Sequence, residues 1–101
     1  MAEGERRSYK RIPFIQDVVI EGVGSRRCSD ISVGGMYLET VSAFSEGETF
    51  KIRFSIPDGD ARPIETEARV LYVHHNVGAG IVFLNMKPED EERIKKFVGG
   101  G

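Results

Sequence analysis

The chain has 101 residues, the size of one domain, and its formal net charge of -2 argues against the broad basic face of a general nucleic-acid binder. Its single cysteine, Cys28, excludes an internal disulfide and fits a reducing compartment. No stretch approaches the roughly 20 apolar residues of a membrane span, and the first residues lack the apolar segment of a signal peptide, so we expect a soluble, cytoplasmic protein.

Positive charge is concentrated near the start of the chain. Arg6, Arg7, Lys10 and Arg11 lie close together, and no acidic residue falls among them. Arg7 and Arg11 form an R-x-x-x-R pair, whose guanidinium forks can bind phosphate oxygens or the O6/N7 edge of guanine. Charge confined to so short a segment suits one small anion better than a polymer. Because few of these residues are apolar, we predict that residues 1–12 form a flexible arm.

The middle of the chain predicts short β-strands. Apolar and polar residues alternate over residues 50–56, which is the period of a strand with one buried face. The face of a second strand is formed by Ile64, Thr66, Ala68, Val70 and Tyr72. Weaker strand patterns occur over residues 15–23, 26–31, 36–40 and 78–84. Turn residues separate these segments, and their spacing predicts a small six-stranded antiparallel β-barrel, because closure removes exposed strand edges.

A second motif, D-x-S-x-x-G, follows between two of these predicted strands. It consists of Asp30, Ser32 and Gly35, with Gly34 as a further glycine. The carboxylate can accept hydrogen bonds from the N–H edge of guanine, and the glycines would let the backbone approach a ligand closely. The structural alternative is that Asp30 and Ser32 only stabilise a turn and that the glycines only supply a positive φ.

The end of the chain predicts one α-helix over about residues 88–98. Pro88 suits the first helical turn, and the acidic residues 89–92 suit its positive end as a solvated helix start. An apolar stripe that should pack on the barrel or plug its mouth consists of Ile94, Phe97 and Val98. We therefore expect an all-β domain with one C-terminal helix over residues 13–98 and a frayed glycine tail over residues 99–101.

Three side-chain patterns suggest other chemistry, and a plainer interpretation is favoured for each. His74 and His75 are neighbours on a predicted strand and point to opposite faces, so they cannot bind one metal ion together. Cys28 follows two arginines that could favour a thiolate, but no base accompanies it, so a packed side chain is expected. No histidine is placed by sequence to activate Ser32 as a nucleophile. We therefore predict no metal site, no cofactor and no enzymatic activity.

The two motifs together make the chain resemble the PilZ domain family, the bacterial receptor module for cyclic di-GMP. The family's R-x-x-x-R matches Arg7 and Arg11. Its [D/N]-x-S-x-x-G matches Asp30, Ser32 and Gly35. Each motif alone is weakly specific, whereas both in this order on a predicted barrel are fairly specific.

The resemblance extends over nearly everything from Arg6 to Val98. Residues 78–84, followed by Pro88 and a helix, are also similar to the family's ending. One departure is Lys87, where the family often has a serine or a similar N-cap residue. Because lysine caps a helix poorly, a looser helix start is expected there.

Membership of this family would imply a mode of binding. The arginine segment would fold over cyclic di-GMP, and Arg7 and Arg11 would hold its guanine edges and phosphates. Asp30 would accept hydrogen bonds from guanine N–H groups, Ser32 would hydrogen-bond the ligand, and Gly35 would keep the turn open. The family's roles span motility, exopolysaccharide production and virulence control.

Arg6 adds a third guanidinium directly before the pair. Cyclic di-GMP can self-stack into a dimer that carries twice the phosphate charge. One hypothesis is therefore that the site accepts two ligands and that Arg6 helps to hold the second.

Three functions remain open at this point. The leading one is a cyclic di-GMP receptor that acts as an adaptor and signals to an effector protein by ordering its N-terminal arm. The second is a protein-interaction module that keeps the PilZ fold but works without ligand. The third is a small-barrel oligonucleotide binder, against which Phe50 and Phe54 count, because they share the face of a strand expected to be buried.

Overall fold

The computed structural model describes residues 10–40 and 44–99. They form six strands and a helix: β1 Ile12–Ile20, β2 Gly24–Ile31, β3 Gly35–Glu39, β4 Thr49–Phe54, β5 Ile64–His74, β6 Gly78–Leu84 and α1 Pro88–Phe97. The predicted helix at the end of the chain is thus present. In this described part of the chain, no helix has the length and apolar character needed to cross a membrane.

The strands close into a barrel in the order β1-β2-β3-β6-β5-β4. Every neighbouring pair in this order is antiparallel, including the short join between β1 and β4, where Val19 pairs with Arg53 and Ile20 with Ile52. The expected fold class, a small six-stranded antiparallel barrel with one C-terminal helix, is confirmed.

The barrel interior is filled by the alternating apolar residues of the strands. Ile52, Phe54 and Ile56 are each 3% exposed or less, which confirms the buried face predicted for β4. Phe50 is half-buried and its ring packs on Phe44 at a centroid distance of 5.3 Å. The burial of this aromatic face removes the stacking surface that an oligonucleotide binder would need on β4.

Register shifts in β1, β2 and β5 interrupt the regular pairing of the strands, and those in β1 and β5 change the faces that the sequence suggests. A register shift between Pro13 and Gln16 buries Phe14 and leaves Ile15 58% exposed, so β1 begins three residues earlier than the predicted strand at 15–23. A second shift between Val70 and Tyr72 makes Leu71 the extra residue of β5. The expectation that Tyr72 shares the inner face of β5 is therefore wrong, because the bulge turns its side chain outward, where it is 39% exposed.

Helix α1 packs its apolar stripe against the barrel core. Ile94 is fully buried and Val98 is 4% exposed, and the Phe97 ring meets Phe14 of β1 edge-on at 5.5 Å. Lys87 is the N-cap residue and makes no side-chain capping hydrogen bond, as expected for lysine. The helix instead begins at Pro88, and an ion-pair network attaches its first turns to the rest of the protein.

That network centres on Arg93, whose side chain is only 11% exposed. Its guanidinium donates to both carboxylate oxygens of Asp58, at 2.8 and 3.2 Å, and to Asp90 Oδ1 at 3.4 Å. It also donates to the backbone carbonyls of Asp60 and Arg62, which ties the β4–β5 loop to the helix. The prediction that residues 89–92 are a solvated helix start is wrong for Asp90, which is 4% exposed.

Candidate ligand-binding site

The D-x-S-x-x-G motif forms the turn between β2 and β3. Ser32 is 2% exposed, and its backbone N–H donates to the carbonyl of Gly35 at 2.8 Å. The Ser32 hydroxyl accepts from the N–H of Gly34 at 3.2 Å and lies 3.4 Å from the Gly35 carbonyl oxygen. Both bonds lie inside the turn, so Ser32 fixes the shape of the turn from within.

Gly35 is required by a close approach of two strands. A Cβ built there would lie 2.0 Å from the carbonyl oxygen of Ile81 in β6, so no side chain fits. The alternative that these glycines supply a positive φ is wrong, because neither Gly34 nor Gly35 is among the positive-φ glycines, such as Gly22 and Gly47. The main chain of Gly34 also accepts a hydrogen bond from the Phe83 N–H at 2.9 Å, which attaches the turn to β6.

An ion pair joins the two sequence motifs. Arg11 Nη1 donates to Asp30 Oδ1 at 2.5 Å, and the two side chains are 49% and 32% exposed. They meet because β1 and β2 are antiparallel and pair Ile12 with Ile31 and Pro13 with Asp30. One guanidinium and one carboxylate are thus presented together at the surface beside the turn.

The remaining arginines of the predicted site, Arg6 and Arg7, lie outside the described residues, as does most of the predicted arm. The described part begins at Lys10. The Lys10 ammonium lies beside the C-terminal end of α1, since a Cβ on Gly99 would be 3.3 Å from Lys10 Nζ. A cation at this position is favoured by the negative end of a helix dipole.

An aromatic cluster, formed by Tyr37, Tyr72 and His74, continues the site across the barrel surface. Strand pairing sets Asp30 of β2 opposite Tyr37, Tyr37 opposite Gly80, and Gly80 opposite Tyr72. Ring centroids are 6.3 Å apart for the two tyrosines and 5.0 Å apart for Tyr72 and His74. The Tyr37 hydroxyl lies 3.0 Å from His74 Nδ1.

Two glycines of β6 let these rings lie flat on the sheet. A Cβ on Gly80 would meet Tyr72 Cζ at 2.4 Å, and a Cβ on Gly78 would meet the Tyr37 ring at 2.6 Å. Each ring therefore covers the backbone with one face, and Tyr72 keeps part of its surface open to solvent. This cluster was not predicted from the sequence, although glycines at alternate positions of a strand signal the close approach of a neighbouring side chain.

Partial burial raises the pKa of Tyr37 above its usual value, and the nearby Tyr72, Glu39 and Asp30 add to this effect. The Tyr37 hydroxyl therefore stays protonated at neutral pH. The Tyr37 ring thus adds an uncharged aromatic surface beside the charged Arg11–Asp30 pair.

Cys28 is a packed core residue, as expected. Burial raises the pKa of its thiol to about 12, and the Sγ lies 3.1 Å from the carbonyl oxygen of Asp30. The thiolate that neighbouring arginines could favour is therefore not formed near neutral pH. Across residues 10–40 and 44–99, no group of three or more His, Cys, Asp or Glu side chains could hold a metal ion.

Comparisons with known proteins agree with this architecture. The model of the PilZ domain matches residues 5–100. MotI/DgrA, the inhibitor of motility of Bacillus subtilis, is 22% identical, with a TM-score of 0.83 over 92% of this chain and 49% of that one. YcgR from Escherichia coli, in complex with c-di-GMP, is 21% identical, with a TM-score of 0.73 over 94% of this chain and 45% of that one.

This chain therefore spans about half the length of each of those two solved proteins. The comparison with curated proteins gives no significant match. The two solved structures support the fold, and the domain model covers nearly every residue of the chain, including both motifs. The resemblance read from the motifs is thus confirmed, and the chain belongs to the PilZ domain family.

Proposed function

We propose that this protein is a receptor for cyclic di-GMP that binds the second messenger without changing it and signals to a partner protein. The Arg11–Asp30 ion pair carries the proposal, because it brings the two ligand-binding motifs of the family together at one surface. Membership of the PilZ domain family and the c-di-GMP complex of the YcgR relative support the choice of ligand.

In this proposal the charged pair recognises the polar edges of the ligand. Arg11 is half exposed and already oriented by Asp30, so its remaining donors can reach a phosphate or the O6/N7 edge of guanine. The Asp30 carboxylate has acceptor positions left for the N–H edge of guanine. Ser32 and Gly35 contribute by holding the turn in shape, and Gly34 presents its backbone at the turn. Arg7 adds a second fork, and Arg6 holds the second ligand of a stacked pair.

The aromatic cluster supplies the apolar half of the same site. Tyr37 lies opposite Asp30 on the neighbouring strand β3, and Tyr72 lies beyond β6 on β5. Both offer ring faces on which a guanine base can stack. Stacking of a base on an aromatic side chain is worth about 1–3 kcal/mol. The ligand would then be held by charge at one end and by stacking at the other.

Arg11→Ala is expected to weaken binding at least about tenfold. A charge-assisted hydrogen bond is worth about 1.5–3 kcal/mol, and about 1.4 kcal/mol corresponds to a factor of ten in affinity. Isothermal titration calorimetry with cyclic di-GMP measures the affinities of the parent and the variant. Parallel titrations with GMP and with a short oligonucleotide test whether the site prefers cyclic di-GMP. Arg7→Ala should behave in the same way as Arg11→Ala.

Arg53→Ala is the matched control, because Arg53 is an exposed arginine of β4 in a loose 3.9 Å pair with Glu65, away from both motifs. It should bind as the parent does. A parent protein that is folded but binds no nucleotide would contradict the proposed function and favour the second candidate, a PilZ-fold interaction module that works without ligand. Equal affinity of Arg11→Ala and parent would contradict the assigned site.

The signalling step is proposed to be the ordering of the arm residues before Lys10 over the turn when ligand binds, because Lys10 and Arg11 already have contacts. Those residues have few apolar side chains, so contacts with the ligand would supply most of what holds them. Ordering a segment costs about 2–5 kcal/mol of the interaction energy, and the ordered segment presents a new surface to a partner.

Amide hydrogen exchange is therefore expected to slow over residues 5–11 when cyclic di-GMP is added. The paired amides of β1 serve as an internal reference, because they are already protected by β2. If residues 5–11 are equally protected with and without ligand, the segment is preformed and the signal must arise elsewhere.

A further inference from the structure

We infer that His74 is part of the ligand site and binds the phosphates of the ligand in its protonated form, so that ligand and proton strengthen each other's binding. The inference rests on the proposed function and adds to it a residue outside both sequence motifs. It follows from the position of His74 in the aromatic cluster and from the two roles that its ring nitrogen can take.

His74 lies at the end of β5, and its exposed ring contacts both tyrosines of the cluster. The centroid distances are 5.8 Å to Tyr37 and 5.0 Å to Tyr72. Tyr37 is in turn directly opposite Asp30. A ligand stacked on Tyr72 and held at Asp30 would therefore place its sugar–phosphate groups near the imidazole.

The contact with Tyr37 suits both protonation states of the imidazole. Neutral His74 can accept a hydrogen bond from the Tyr37 hydroxyl through Nδ1, which lies 3.0 Å away. The protonated ring can donate from Nδ1 to the same hydroxyl oxygen, because a hydroxyl is both donor and acceptor. Protonation therefore reverses this hydrogen bond without breaking it.

Charged groups of both signs lie across the sheet from His74. Strand pairing places Gly78 of β6 next to His74, then Glu39 of β3 and then Arg27 of β2. The charged groups that follow His74 across the sheet are thus one acid, Glu39, and one base, Arg27, and His75 follows His74 in the chain. The Tyr37 hydroxyl is neutral throughout the relevant range, because its pKa is raised. Two phosphodiesters, which stay ionised across it, would then favour the protonated form of His74.

The expected effect is a rise in affinity on acidification. Histidine is the side chain whose charge normally changes between about pH 5 and 8. A nearby group of opposite charge shifts the protonation equilibrium of a side chain by about tenfold. Affinity for cyclic di-GMP should therefore be about tenfold higher at about pH 5.5 than at about pH 8. Protonation of Asp30 would instead lower the affinity for cyclic di-GMP, because it removes a hydrogen-bond acceptor and the partner of Arg11.

Calorimetric titrations of the parent, His74→Gln and His75→Gln at these two pH values test the inference. His74→Gln should bind with the same affinity at both, close to that of the parent at the higher pH, and should take up no proton when ligand binds. Proton uptake is measured by repeating the titration in buffers of different ionisation heat. His75→Gln is the matched control and should keep the full pH dependence of the parent.

The possible results distinguish the role of His74 from the receptor function itself. A parent that binds equally at both pH values, or a His74→Gln variant that keeps the pH dependence, would overturn the role of His74 and leave the receptor function standing. A parent that binds cyclic di-GMP at neither pH would contradict the receptor function and this inference with it.

Discussion

Gly35→Ala is expected to lower the free energy of unfolding by about 3 kcal/mol or more, one of the largest effects of any single substitution in this protein. The new methyl group would fall 2.0 Å from the carbonyl oxygen of Ile81. Because the Cβ position is fixed by the backbone of β3 and the oxygen belongs to the backbone of β6, the clash is relieved only by parting β3 from β6. Denaturant unfolding followed by circular dichroism measures the loss.

Gly80→Ala is the matched comparison on the next strand. Its methyl group would meet the far end of the exposed Tyr72 ring, which can swing away, so we expect a stability loss of only about 1 kcal/mol. The displaced ring would no longer lie flat, and affinity for cyclic di-GMP should fall. Equal stability of Gly35→Ala and parent would show that β6 can move, and unchanged binding by Gly80→Ala would contradict stacking on the aromatic cluster.

Arg93→Ala is expected to destabilise the protein by about 3 kcal/mol. Removing one partner of a largely buried ion pair leaves the other charge without compensation, and here Asp90 and Asp58 would both remain, at 6% and 17% side-chain exposure. The β4–β5 loop would also lose its attachment to α1. Thermal or denaturant unfolding of parent and variant measures the difference.

Arg62→Ala is the control, because Arg62 pairs with Asp60 at 3.0 Å on an exposed surface and should matter little. The pH dependence gives a second check. The hydrogen bond from Arg93 holds the pKa of Asp58 below its usual value, so this stabilisation is present above about pH 4 and is lost as pH falls further. The stability gap between parent and Arg93→Ala should therefore narrow in acid, and a constant gap would contradict the assignment.

The regular parts of the fold could be predicted because one face of each strand is apolar. The alternation over β4 and the first half of β5 gives the correct buried residues, such as Ile52 and Ile64. The bulge at Leu71 could not be foreseen, since a single extra residue leaves no mark in a pattern of period two. For the same reason Tyr72 was placed on the wrong face, and with it the aromatic cluster was missed.

The candidate site was predictable in its residue types and only partly in its arrangement. Asp30 and Arg11 are far apart in sequence, and only the pairing of β1 with β2 brings them into contact. The role of Gly35 depends on how closely β6 approaches, which is a property of the closed barrel and not of the motif. The burial of Asp90 likewise depends on Arg93 reaching the β4–β5 loop, a contact between distant segments.

The burial of Cys28 has a practical consequence for spectroscopy of this protein. A fully enclosed thiol with a pKa of about 12 should not react with maleimide or iodoacetamide reagents while the barrel is folded. A cysteine introduced at an exposed position, such as Lys10→Cys in the arginine segment, could then be labelled alone, without first removing the native one. A single fluorophore there would test whether the segment moves when cyclic di-GMP is added, in a chain whose core remains unaltered.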